Sequence, residues 1–90
     1  MQLDSRPVPK EGVLVQEMSG TRVILDSVTG NYFTLDEVGS RIWSLCDGRS
    51  ASSIVDVICD EYEAPPAVIR DDVLELLGEL SRERLLREDR

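Results

Sequence analysis

The sequence predicts an α+β domain, a three-stranded antiparallel β-meander followed by three helices in a winged helix-turn-helix-like order. Three observations predict it. Residues 13–35 hold β-branched runs broken by Ser-Gly and Thr-Gly turn signals, the pattern of a meander. After Leu35 the apolar period changes from that of a strand to that of a helix. Asp-Gly and Pro-Pro then cut the second half into three helical segments. Strands followed by helices bury their apolar faces as a helical layer on one side of a sheet.

Each element has its own signal. Residues 1–12, with Pro7, Pro9, Lys10 and Gly12, are expected to form an extended N-terminal arm, and residues 13–90 a single domain. Residues 13–18 and 21–26 flank Ser19-Gly20 as the two arms of a hairpin. Asp26 to Gly30 makes a second turn, with Gly30 able to take the positive φ a short loop needs. Residues 31–35 are the third strand, where alternation sets Phe33 and Leu35 on one face and Tyr32 and Thr34 on the other. Asp36 caps the first helix, whose stripe is Val38, Ile42, Leu45 and Cys46; Trp43 lies one position off it and is expected in the core. Asp47-Gly48 is expected to stop that helix, with Gly48 left-handed beyond its end. Ser50 caps the second helix, with Ile54, Val55, Ile58, Cys59 and Tyr62 as its stripe. Pro66 suits the first turn of the third helix, which carries Ile69, Val73, Leu76, Leu77 and Leu80, with Val68 and Asp72 on the flank. Residues 81–86 either extend this helix or fold back, with Leu85 and Leu86 on the core in both cases.

Composition narrows the function. The chain has 90 residues, 41% hydrophobic and 31% charged, which fits one folded domain. Ten basic residues against eighteen acidic ones leave a net charge of −8, which repels phosphate backbones and favours partners bearing Lys or Arg. Between Asp60 and Glu79 seven acids stand against Arg70 alone, a balance of −6 that a recognition helix could not carry into a major groove. A winged-helix regulator therefore rests on topology alone. The chain contains no histidine, which removes Ser-His and Cys-His nucleophile pairs and His-ligated metals. Cys46 and Cys59 lie in apolar segments without a CxxC pair, so they are expected to be buried thiols in a reducing compartment, and neither metal nor cofactor is expected. No stretch approaches the roughly 18 apolar residues of a membrane span, and the N-terminus has no signal-peptide core; a cytoplasmic location away from the membrane is the expectation.

The stretch from Val23 to Leu86 resembles the PqqD-like family, also called RiPP recognition elements. Leu25-Asp26, Gly30-Asn31-Tyr32-Phe33-Thr34-Leu35-Asp36, Val38-Gly39, Ile42-Trp43, Asp47-Gly48-Arg49-Ser50 and Ile54 carry the resemblance. Asp36 stands where members often have Asn, and both cap helices. Ser53 replaces the acid that often completes the second helix's capping box. The absence of His and of any metal-ligand cluster predicts no catalytic residues and no activity without a partner, and the resemblance implies a compact winged helix-turn-helix-like binding domain. It would bind the leader segment of a ribosomally made precursor peptide and present it to a separate modifying enzyme or leader peptidase. Tyr32-Phe33 and the Gly-x-Tyr turn look most like the lasso-peptide members.

The residues point to the same kind of site by their own physics. The third strand, Asn31, Tyr32, Phe33, Thr34 and Leu35, is a sheet edge with no Lys or Pro to block pairing, so it can take an extended guest as a fourth strand. If the third helix lies along that edge, Val68, Asp72 and Leu76 form a wall, and Asp72 or Glu75 meets a guest Lys or Arg. A proline at Tyr32 or Thr34 would test the edge, although sequence does not say which amide points outward. Two rivals remain. An enzyme would need Cys46, Cys59 or the Asp71-Asp72 pair, whose adjacent helical positions point about 100° apart. A dimerising interaction domain would use the same strand edge for a second copy.

Overall fold

The computed structural model describes residues 1–89, so residue 90, the last of the expected domain, lies outside the described residues. The meander consists of β2 (Val13–Met18), β3 (Thr21–Asp26) and β4 (Tyr32–Leu35), preceded by a short β1 (Pro7–Pro9). Then come α1 (Glu37–Ser44), α2 (Ala51–Glu61), α3 (Pro66–Arg82) and a closing β5 (Leu86–Glu88). The meander runs in the order β2-β3-β4, all antiparallel, and leaves one side of β4 unpaired. Ser19 and Gly20 both take positive φ, 47° and 86°, as a two-residue hairpin between right-twisted strands requires.

Alternation decides which side of the sheet is buried. Ile24, Asp26 and Leu35 point inward and are at most 2% exposed, with Phe33 half-buried beside them. Tyr32 and Thr34 point the other way, as expected. Trp43 is buried, and so are Ile42, Leu45 and Cys46 from the α1 stripe. Val38 is 37% exposed, because the sheet edge beyond it is open rather than covered. In α2 the inner stripe is Ile54, Val55 and Ile58, while Cys59 and Tyr62 are only half-buried at its margin. Ile69, Val73, Leu77 and Leu80 of α3 complete the core, with Leu76 half-buried.

Caps follow the expected residues. Asp36 accepts from the Gly39 N–H at 2.7 Å, and Ser50 accepts from the Ser53 N–H at 3.1 Å. The stop of α1 differs from expectation. The helix ends at Ser44, with Leu45 still right-handed as its C-cap, three residues before Gly48. Gly48 does take a φ of +98°, but in the following loop, where its N–H reaches the Pro7 carbonyl at 3.3 Å.

The two ends of the chain meet. The first twelve residues are not one extended arm: turns at residues 3–4 and 11–12 flank β1, which pairs antiparallel with β5, matching Pro7 with Glu88 and Pro9 with Leu86. Ser5 and Leu3 carbonyls accept from the Ala51 and Ser52 N–H groups at 2.8 and 2.9 Å, filling part of the open first turn of α2. Ser81 and Arg82 still belong to α3, and residues 83–86 fold back. Arg84 takes a φ of 60°, and Leu85 donates to the Leu80 carbonyl at 2.9 Å, a Schellman stop with Leu85 and Leu80 both buried.

Candidate functional site

The free edge of β4 is set by its hydrogen-bond parity. The Asp26 N–H donates to the Asn31 carbonyl at 2.8 Å, so residue 31 faces β3. Backbone groups alternate sides along an antiparallel strand, so Phe33 and Leu35, paired with Ile24 and Arg22, also face β3. Tyr32 and Thr34 are two residues apart and therefore point the same way, outward. The choice between them that sequence left open does not arise: both offer an N–H and a C=O to a guest strand.

Beside this edge lies a groove of about 630 Å³, bounded by β4, the first turns of α1 and the middle of α3. Five of the expected residues line it: Phe33, Thr34 and Leu35 from the strand, Asp72 and Leu76 from the helix. Asn31, Tyr32, Val68 and Glu75 do not. Asn31 belongs to the turn, Tyr32 turns its ring to the other sheet face, and Val68 and Glu75 are exposed on α3. Sequence reasoning missed Val38, Gly39 and Ile42 from α1, along with Thr21, Asp36 and Glu79. Val38 carried a usable signal, being a stripe residue in the first helical turn, next to an edge strand. Nothing local marks Glu79, which enters because α3 runs alongside the edge for two turns.

Gly39 has a steric role here. A Cβ at that position would sit 3.2 Å from Asp36 Oδ1 and 3.3 Å from Leu35 Cδ2, against the cap and the groove wall at once. Val38, Ile42 and Asp72 also border an adjoining pocket of about 260 Å³ that reaches between α1, α2 and α3. The groove thus has an apolar floor and, through Asp36, Asp72 and Glu79, an acidic rim. No Lys or Arg lines it, and among the described residues Asp72 and Glu79 form no ion pair. Such a lining is complementary to an extended segment with apolar side chains and a cation, and not to an anion.

Burial pushes the Cys46 thiol up to about 12, with the Asp47 charge adding to it, and its sulfur donates to the Ile42 carbonyl. Among the described residues no three His, Cys, Asp or Glu side chains gather as a metal site, and no helix is long and apolar enough to cross a membrane. A depression of about 710 Å³ near the chain ends, between Met1, Gln2, Asp4, Ser5 and Arg6 on one side and Ser81, Glu88 and Asp89 on the other, is mostly polar.

Comparison with known proteins follows this geometry. Residues 21–86 match the family described as coenzyme PQQ synthesis protein D (PqqD). The chain is 32% identical over 76 residues to the bifunctional coenzyme PQQ synthesis protein C/D of Methylorubrum extorquens, covering 74% of this chain and 20% of that protein. It therefore spans about a fifth of the length of that relative. Among solved structures it is similar to TbiB1 in complex with the TbiA(beta) leader peptide, at 37% identity and a TM-score of 0.81, covering 89% of this chain and 94% of the other. A lasso peptide synthetase B1 complexed with its leader peptide has the same fold, with a TM-score of 0.81 at 21% identity, over 92% of this chain and 99% of that one.

Proposed function

The chain belongs to the PqqD family, and from that premise we propose that it binds the leader segment of a ribosomally made precursor peptide by strand addition to β4. The observation that carries the proposal is the pairing of an unpaired strand edge with an apolar, acid-rimmed groove along α3. A guest strand would take its register from Tyr32 and Thr34 backbone groups. Its inward side chains would rest on Phe33, Val38 and Leu76, and a guest Lys or Arg would meet Asp72 or Glu79. The likeness to TbiB1 with its leader peptide supports this reading and favours a lasso-type pathway.

The protein delivers its guest to a separate modifying enzyme or leader peptidase and does no chemistry alone. Its precursor should keep its mass on incubation with this chain; cleavage or modification by the chain alone would contradict that. Nucleic acid does not suit this chain as a partner, since α3 presents Asp71, Asp72 and Glu75 where a DNA-binding helix needs cations, and the net charge of −8 disfavours an anionic membrane surface. A cytoplasmic site of action suits the two free thiols.

The test is binding of fluorescent synthetic leader peptides, beginning with that of TbiA(beta), the guest of the similar TbiB1. Thr34→Pro removes one ladder donor, about 0.5–1.5 kcal/mol, and should weaken affinity roughly 3- to 10-fold. Leu76→Asp should weaken it through the groove by about 10-fold or more. Circular dichroism and melting of each variant separate loss of site from loss of fold. Folded variants at both positions that bind as tightly as the parent would place the guest elsewhere.

A further inference from the structure

One residue holds the whole turn that leads into the guest edge. Asp26 closes β3 and is 1% exposed. Its Oδ1 accepts from the Val28 N–H at 2.9 Å and the Thr29 N–H at 3.4 Å, and its Oδ2 lies 3.6 Å from Lys10 Nζ. Its carbonyl accepts from the Gly30 N–H, and its own N–H donates to the Asn31 carbonyl, both at 2.8 Å. The turn is tied at two further points. The Ser27 N–H and hydroxyl both donate to the Gly12 carbonyl, at 3.0 and 2.7 Å, and Thr29 Oγ1 accepts from the Asn31 N–H at 3.2 Å. The next residue is Tyr32, the first whose backbone groups face the open edge.

The bonds to Gly30 and Asn31 use backbone groups and would form with any residue at position 26. A buried carboxylate is costly in itself, so what it adds has to be specific. What it adds is a choice of register. β4 has only four residues, pairs on one side alone and follows a turn whose Val28 is 81% exposed. A slip of one residue would exchange the two edges of β4, turning Phe33 and Leu35 backbone groups outward and their side chains off the core. Building on the leader-binding reading, we propose that Asp26 is a positioning residue for guest capture. It fixes where β4 begins, and so keeps the Tyr32 and Thr34 backbone groups on the open edge. Asp26 does not line the groove and acts through the strand alone. Lys10, its counter-ion, ties the segment ahead of the meander to the same edge.

The test compares the parent with Asp26→Leu and Asp26→Asn, by amide exchange of the free proteins and by binding of fluorescent TbiA(beta) leader peptide. Asp26→Leu removes the acceptor for Val28 and Thr29. The contrast between slow Phe33 and Leu35 and fast Tyr32 and Thr34 should shrink about fivefold or more, with α3 amides within about twofold of the parent. Leader affinity should fall about tenfold. Asp26→Asn keeps an acceptor oxygen for the turn, so it should retain the contrast and bind leader within about threefold of the parent. Asp26→Ala serves if Asp26→Leu melts too early. A folded Asp26→Leu that keeps both the contrast and the affinity would overturn the proposal. So would exchange that quickens equally in β4 and α3, since Asp26 would then contribute only to general stability. Failure of the leader-binding reading shows differently: the parent takes up no leader, while the exchange contrast of the free protein still depends on Asp26.

Discussion

Arg84 sits at the left-handed position that ends α3, where most helices place Gly. That conformation costs an L-residue about 1–2 kcal/mol, partly offset by the freedom Gly would lose on folding. Arg84→Gly should therefore raise stability by about 0.5–1 kcal/mol, read as a higher urea midpoint at unchanged slope. The same residue explains why the end of α3 was not legible: Asp36 and Ser50 announce their caps by type, whereas an arginine announces no stop. Asp26 is a buried carboxylate held below the usual carboxylate range first by the Val28 N–H at 2.9 Å, against burial, and then by the Thr29 N–H and Lys10 at 3.6 Å. A lowered folded pKa gives stability that is present above the ordinary carboxylate range and lost as pH falls through the folded value. Asp26→Asn should lower the neutral-pH urea midpoint and flatten the acid limb of the stability curve; an unchanged acid limb would show that Asp26 does not drive it.

At the scale of elements, the meander and its three helices were legible because period and punctuation agree across residues 13–80. The β1–β5 pair was not. It has only three residues on each side, two prolines that argue against a strand, and a partner at the far end of the chain. Its consequence is testable. Removing residues 1–9 strips the cover from β5 and from the first turn of α2; at about 0.5–1.5 kcal/mol per lost hydrogen bond the loss should reach about 2–4 kcal/mol. A urea midpoint unmoved by that deletion would mean the terminal pair contributes nothing. The groove was half legible. The strand edge follows from strand order, and Asp72 and Leu76 from helical spacing, but the α1 wall required knowing that Val38 faces the open edge. Gly39→Ala should crowd Asp36 and Leu35 and weaken guest binding more than it lowers the melting temperature.

The whole molecule is flat, 37 × 33 × 17 Å, because its helices cover one face of a small sheet and leave the other bare. Its net charge of −8 predicts that guest binding weakens with salt, but only by a few-fold between about 50 and 500 mM, since exposed ion pairs contribute about 0–1 kcal/mol each. Complete loss at high salt would mean the acids rather than the apolar floor hold the guest. The claim that matters most is strand addition at β4, and amide hydrogen exchange reads it directly, residue by residue. In the free protein the Phe33 and Leu35 amides, bonded to β3, should exchange slowly, while the Tyr32 and Thr34 amides, on the open edge, exchange fast. Saturating leader peptide should slow exchange at Tyr32 and Thr34 together and leave Phe33 and Leu35 little changed. Fast exchange persisting at both Tyr32 and Thr34 while the peptide is demonstrably bound would contradict strand addition at this edge.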